Sequence, residues 1–399
     1  MRAAGARAAS LTDQARAEHD LLLLCAGGTL DDRRRENLRQ LASRDLDWNV
    51  IVGTAKKHGV AQLVYHHLAQ SGVFSRGDPR LAPLCARAFA TTANSVLLAR
   101  ELVDVLARFE QASIAAVPYK GPLLAVSLYR SLALRECTDL DVLVRPDELL
   151  RAREVLVLSG YEPELGLTRT QERDLIRTGV EYRLRFDRPI RAGRLAFELH
   201  WRIPATFPLD NRALWQRLQS SMLLDRRLPQ FAPEDLLLIL CVHGLYHAWN
   251  TLKWISDIAQ LVERYPDLNW QVALDQARRV GGSRVLLLGC AVARAVLGTT
   301  LPTDVVRRID ANSAVSSAAE HFAAHLFGRP LRRVGVINQL RMLERAPDRI
   351  RYGLRLLGHL TVPTVVERAA WSGPRGAGFV HYLAHPFRMA GRVVREYRA

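Results

Sequence analysis

At 399 residues and 44.8 kDa the chain is long enough to bury a sizeable core and has room for roughly two or three subdomains. Its 49% hydrophobic and 24% charged residues are the balance of a soluble globular protein. No apolar run reaches the roughly 18 residues a membrane span needs, so none is expected. The five cysteines are scattered with no Cys-x-x-Cys pair, which excludes zinc ribbons and disulfide scaffolds and makes a reducing cytoplasm the expected location. The excess of 56 Lys+Arg over 40 Asp+Glu gives a charge of +16, a surface that attracts nucleotides, nucleic acid or acidic lipid. An arginine-, alanine- and leucine-rich composition fits a genome rich in G and C equally well.

The Ala- and Arg-rich start leads into Leu21-Leu-Leu-Leu-Cys25, an apolar run too short for a secretion signal and directly preceded by Glu18 and Asp20. From Leu21 to about Glu110 the pattern is helical. Asp47-Trp48 begins one helix and Lys57-His58-Gly59 ends it, the next starts at Val60, and a long one spans Ala86 to Phe109. His58, His66 and His67 are expected on helix surfaces. Ile114 to Pro118 reads as a short strand delivering a Lys120-Gly121 corner, where glycine lets backbone amides approach a phosphate at a helix N-terminus. Leu123, Leu124, Val126 and Leu128 then recur with helical spacing. Asp139-Leu-Asp-Val-Leu-Val144 alternates as a half-buried strand, with Asp139 and Asp141 on one face and Leu140, Val142 and Val144 on the other. Two such carboxylates lie about 6–7 Å apart along the strand, close enough to grip one divalent cation or a metal pair about 3.5–4 Å apart. A solvated edge strand with two surface aspartates is the alternative.

This order of glycine corner, helix and Asp-x-Asp strand resembles the nucleotidyltransferase superfamily that includes polymerase beta. The wording from Lys120-Gly121 through Tyr129 and Arg135 to Val144 is similar to one branch, the bacterial nucleotidyltransferase-like proteins with flanking helical regions. Further along, Arg145-Pro146-Asp147 is expected to start a helix ending near Ser159-Gly160, and Arg169 to Arg177 reads as another. Val180 to Asp187 and Leu195 to Trp201 form a predicted hairpin connected through Pro189 to Gly193, with Glu198 and His200 sharing one face and Phe197, Leu199 and Trp201 the other. The resemblance puts the superfamily's third carboxylate at Glu198, where aspartate is more usual; the added methylene changes the metal geometry. An ordinary polar face residue is the alternative there.

Ala232-Pro233-Glu234-Asp235 opens a further helix, its proline and acids suiting a first turn. His243, His247, Asn250, Trp254 and Asp257 form one stripe if the helix is continuous, and two if it breaks near Asn250. No glutamate follows His243, which argues against a zinc-protease motif. The pattern His-x-x-x-His-x-Trp followed by Lys253-Trp254-x-x-Asp257 resembles the same branch just after its core. The tail, with helical pieces at Leu340 to Leu357 and Phe379 to Arg392 and a turn at Gly373 to Gly378, is basic and amphipathic, fitted to close back on the core or to lie on a membrane surface or nucleic acid.

The expected fold is therefore α+β, a small mixed sheet flanked by helical regions, divided as 1–112, 113–230 and 231–399. The resemblance implies Mg²⁺-dependent transfer of a nucleotidyl group from an NTP to an acceptor, with pyrophosphate leaving. Asp139, Asp141 and Glu198 would hold metal, and Lys120, Gly121, Arg135 and Lys253 would hold the nucleotide. The acceptor, whether sugar, peptide, protein or RNA, is not specified by these residues. Pro122 departs from the superfamily's Gly-Ser or Gly-Gly corner and offers neither hydroxyl nor N–H. Two other readings stay open: a nucleotidyltransferase fold that binds without turnover, and a basic nucleic-acid-binding protein.

Overall fold

The computed structural model describes residues 2–75, 77–178, 182–190, 193–203, 211–328 and 335–361. Five helices come first: α1 (Arg2–Ala26), α2 (Asp32–Ala42), α3 (Trp48–Lys57), α4 (Ala61–Gln70) and α5 (Ala82–Gln111). Asp47 caps α3 as its position predicts, accepting from the Asn49 and Val50 amides at 2.9 and 3.3 Å. The central segment follows as β1 (Ala116–Pro118), α6 (Gly121–Tyr129), β2 (Asp139–Val144), α7 (Leu149–Leu158), β3 (Glu162–Pro163), α8 (Arg169–Thr178), β4 (Arg183–Ile190) and β5 (Gly193–His200). After α9 (Asn211–Gln216), a hairpin of β6 (Gln219–Leu223) and β7 (Arg226–Gln230) precedes α10 (Pro233–Tyr246) and α11 (Leu252–Arg264). The described chain ends with α12 (Trp270–Arg279), α13 (Ser283–Leu297), α14 (Thr303–Asp310), α15 (Ser313–His325), α16 (Gly335–Met342) and α17 (Ala346–Thr361). None of these helices is long and apolar enough to cross a membrane.

The five-stranded sheet has the order β1-β2-β5-β4-β3. β2 runs parallel to β5, and the other neighbours are antiparallel, so the sheet is mixed as expected. The parallel register sets Asp141 opposite Glu198 and Leu143 opposite His200. Period-two alternation then sorts the two faces. Leu140, Val142, Val144, Phe197, Leu199 and Trp201 pack with Leu98, Leu102 and Phe109 of α5 and Leu149 and Leu156 of α7. The opposite face carries the polar residues, flanked by Val117, Tyr119 and Leu143, which join a second core. That second core unites helices from both ends of the chain, with Leu21, Ile51 and Val64 packed in one cluster with Leu237, Leu240, Val285 and Leu288.

Several local expectations change. The β4–β5 ladder continues to Ile190↔Gly193, so Pro189 is a strand residue and not part of the connection. The turn at Arg145, closed by the Glu148 amide on the Arg145 carbonyl at 3.0 Å, delays α7 to Leu149. The β6–β7 hairpin was not predicted, because Gln219 to Gln230 lacks a clean apolar alternation. His58 and His67 are buried, not on the surface, because helices from the other end of the chain and α1 cover them; Leu252 donates its amide to His58 and His67 bonds the Cys25 carbonyl. All five cysteines are free thiols. The predicted pieces at Gly373 to Gly378 and Phe379 to Arg392 lie outside the described residues.

Candidate active site

The corner comes first. β1 ends at Pro118, the Tyr119 amide donates to the Asp141 carbonyl at 3.3 Å, and Lys120 stays extended before α6 begins. Gly121 turns the chain at φ +61, and a Cβ there would lie 3.1 Å from the Asp139 carbonyl oxygen. Glycine is thus required twice, for the left-handed backbone and for the close approach to β2. Pro122 occupies the first turn of α6, where its missing N–H is tolerated structurally but supplies no donor.

On the neighbouring strands three side chains converge. His200 Nε2 lies 3.1 Å from Asp141 Oδ1 and 3.4 Å from Glu198 Oε2, and the Tyr119 hydroxyl is 3.1 Å from His200 Nδ1. Lys120 Nζ approaches Asp141 Oδ1 to 2.9 Å, and Arg183 pairs with Glu198. Burial alone would raise the Asp141 carboxyl, but the Lys120 charge and the His200 hydrogen bond override it and hold Asp141 ionised, well below the usual carboxylate range. Burial lowers the His200 imidazole, opposed by Asp141. One ligand atom from each of Asp141, Glu198 and His200 falls within 4.8 Å of the others, and all three residues are buried. Two carboxylates and an imidazole on rigid strands fit a divalent ion.

The facing wall comes from the junction of α10 and α11. The helix breaks after Tyr246 because Ala248 and Trp249 take left-handed φ values of 53° and 52°. The Trp249 amide closes back on the Gly244 carbonyl at 2.9 Å, and the Trp249 ring covers Gly244, where a Cβ would stand only 2.3 Å away. The predicted stripe is therefore split, as the alternative with a break near Asn250 required. The fold-back nevertheless brings its members together: His247 stacks on Trp254 with centroids 4.6 Å apart, and His243 meets both rings edge-on. Burial, with the Lys120 charge and His247, pushes His243 well below the usual imidazole range; burial, with Lys120 and Arg183, takes His247 down to about 4. The His243–His247–Trp254 patch of this wall is aromatic and uncharged at neutral pH.

Behind it, Asp257 accepts from Arg135 Nε at 2.7 Å, from Arg135 Nη2 at 2.9 Å and from the Tyr129 hydroxyl at 2.8 Å, all buried. Lys253 lies in the cleft wall with no carboxylate in contact among the described residues; burial and then Arg135 lower its ammonium below the usual range, against Asp257, Glu136 and Asp139. The space enclosed between Lys120, Asp141, Glu198, His247, Lys253 and Trp254 is about 330 Å³.

A family model described as "Uncharacterised nucleotidyltransferase" matches residues 44–298, more than half of the 399. The chain belongs to that family. The matched span of this nucleotidyltransferase-family chain includes the whole sheet and both walls of the cleft. Among solved structures, the lincosamide antibiotic adenylyltransferase LnuA, lincomycin-bound, is similar at 17% identity over 41% of this chain and 94% of that one, with a TM-score of 0.28. An antigenic nucleotidyltransferase-like protein from Paracoccidioides brasiliensis is similar at 12% identity over 57% and 91%, with a TM-score of 0.31. No curated protein matches.

Of the residues singled out in the sequence, Asp141 and Glu198 meet directly across the β2–β5 pair. Asp139 lines the same cleft, but its carboxylate, which accepts from the Thr138 hydroxyl at 3.2 Å, lies outside the Asp141–Glu198–His200 cluster. Lys120, Gly121 and Lys253 border the cleft. Arg135 also borders it, yet two of its nitrogens are committed to Asp257, which makes it a buttress between the β2 approach and α11. His200 is the functional candidate that sequence reasoning passed over. The signal was present, since alternation already set it on the face of Glu198 in Phe-Glu-Leu-His-Trp.

Proposed function

We propose that this cleft transfers a nucleotidyl group from an NTP to an acceptor hydroxyl, using a divalent metal, with pyrophosphate leaving. The observation that carries the reading is the parallel register of Asp141 against Glu198 beside the Lys120-Gly121 corner, within one cleft of about 330 Å³. Asp141 and Glu198 hold the metal, and Asp139, two residues earlier on the same strand face and also lining the cleft, extends the carboxylate set. A divalent ion bound there polarises the phosphoryl oxygens and offsets the charge that builds on the leaving group. The Lys120 ammonium and the first amides of α6 receive the β- and γ-phosphates, and Lys253 adds a second positive charge from the facing wall. The stacked His247–Trp254 pair presents a flat uncharged face to the base. The acceptor oxygen bonds to the α-phosphorus, the α–β bridging P–O bond breaks with its electron pair going to pyrophosphate, and the acceptor proton passes to a carboxylate or to solvent.

The test is incubation of the full chain with each α-labelled NTP, divalent metal and pooled small-molecule, peptide and RNA acceptors, following label transfer and pyrophosphate together. Stoichiometric pyrophosphate and labelled acceptor, both lost in Asp141→Asn and Glu198→Gln, are expected. Metal-dependent nucleotide binding with no pyrophosphate from any NTP and acceptor class would overturn catalysis and leave a binding protein.

A further inference from the structure

His200 is an unusual neighbour for two metal-binding carboxylates. Oxygen donors alone satisfy Mg²⁺, which prefers near-ideal octahedral oxygen geometry and keeps several waters. An imidazole nitrogen instead favours first-row transition ions. The His200 ring is 2% exposed, so its orientation is set by its contacts and not by solvent. Nε2 lies 3.1 Å from Asp141 Oδ1 and 3.4 Å from Glu198 Oε2, and the Tyr119 hydroxyl stands 3.1 Å from Nδ1 and 3.2 Å from Nε2. Without metal the Nε2 proton is donated to the Asp141 carboxylate; moved to Nδ1, within reach of the Tyr119 oxygen, it would leave the Nε2 lone pair to a cation lying between both carboxylates. Such an outer partner is what orients metal-ligating histidines and selects their tautomer. One ligand atom from each of the three residues lies within 4.8 Å of the others, so a divalent cation can take the place that the Lys120 ammonium and the His200 N–H hold beside Asp141 Oδ1.

We propose that His200 ligates the metal through Nε2 together with Asp141 and Glu198, and that this nitrogen makes the site select Mn²⁺-class ions over Mg²⁺. The use of that metal in nucleotidyl transfer rests on the function proposed above; the ligation itself does not.

The experiment uses the metal-stripped full chain, Mn²⁺ as probe and no nucleotide. Pulsed electron paramagnetic resonance should show ¹⁴N modulation from an imidazole bound to Mn²⁺ in the wild type, and none in His200→Asn. Calorimetric titration should give Mn²⁺ at least ten times tighter than Mg²⁺, with the ratio collapsing towards one in His200→Asp, where all three ligands are oxygen. Circular dichroism confirms that each variant is folded, and the wild-type spectrum alone decides the case if a variant is not. Mn²⁺ binding without nitrogen coupling, an unchanged ratio in His200→Asp, or no Mn²⁺ binding at all would each overturn the proposal. Nitrogen coupling in a protein that transfers no label would leave His200 a ligand and remove only the transferase reading.

Discussion

The buried Arg135–Asp257 pair allows a quantitative prediction. Arg135 and Asp257 are 5% and 1% exposed, and the Asp257 carboxylate satisfies two guanidinium N–H groups and the Tyr129 hydroxyl at 2.7 to 2.9 Å. In Asp257→Ala the guanidinium stays buried without a counter-charge, a loss of about 3–5 kcal/mol. The Tyr129 hydroxyl also loses its acceptor, a penalty of about 1–3 kcal/mol that overlaps the first. A total near 4 kcal/mol is expected, a large fraction of the roughly 5–15 kcal/mol by which domains are stable. Equilibrium urea unfolding monitored by tryptophan fluorescence measures it. Arg135→Met combined with Asp257→Leu should recover most of the loss, because no unpaired charge remains inside. Because Arg135 lies four residues before Asp139, the single variant should also loosen the start of β2 and weaken metal binding. A loss under about 1 kcal/mol in Asp257→Ala would refute the reasoning, since it would mean that water reaches the pair or that the contact does not form.

Other outcomes follow from the same geometry. Lys120→Met should change two affinities in opposite directions: NTP binding should weaken by about 10- to 150-fold through loss of a charged contact, while Mn²⁺ binding without nucleotide should tighten, because Lys120 no longer competes for Asp141 Oδ1 at 2.9 Å. Parallel titrations with both ligands check this, and weakening of both would refute the competition. Gly121→Ala forces a side chain into φ +61, about 1–2 kcal/mol, and sets its Cβ 3.1 Å from the Asp139 carbonyl; a lowered unfolding midpoint and reduced NTP affinity are expected from denaturation and binding curves. Acid should destabilise the fold between about pH 6.5 and 4. Burial, opposed by the Cys25 carbonyl and adjusted by His66, Arg34 and Glu263, holds His67 at about 4, and burial with Lys57 and His19 does the same for His58. In that window the unfolded chain binds protons that the folded one refuses, so each histidine lowers stability by up to about 1.4 kcal/mol per pH unit as pH falls. Urea midpoints from pH 7 to 4.5 should therefore fall less steeply in His67→Gln, and an unchanged slope would refute the assignment.

The Asp-x-Asp strand, the Gly121 corner and the shared face of Glu198 and His200 were legible in the sequence because each depends on local chain geometry. Strand alternation repeats every two residues and left-handed backbone favours glycine, so neighbours along the chain declare both. The capped start of α3 at Asp47 is equally local, a side chain bonding amides two and three residues ahead. What those segments face was decided by tertiary structure. The parallel pairing that sets Asp141 against Glu198 crosses several intervening elements, and Asp257 reaches Arg135 from 122 residues away. Arg135, which the resemblance set at the nucleotide, thus borders the cleft and also serves as a buttress. Asp141→Asn, harmless to stability if two bare aspartates merely repel, should instead leave Lys120 without its partner. His58 and His67 follow the buried Ala55 of α3 and Val64 of α4 by three residues, and elements brought from elsewhere in the chain cover them. Periodicity reports which side chains share a face; the partner that covers the face is chosen by the free energy of the whole packed chain, which no single segment contains.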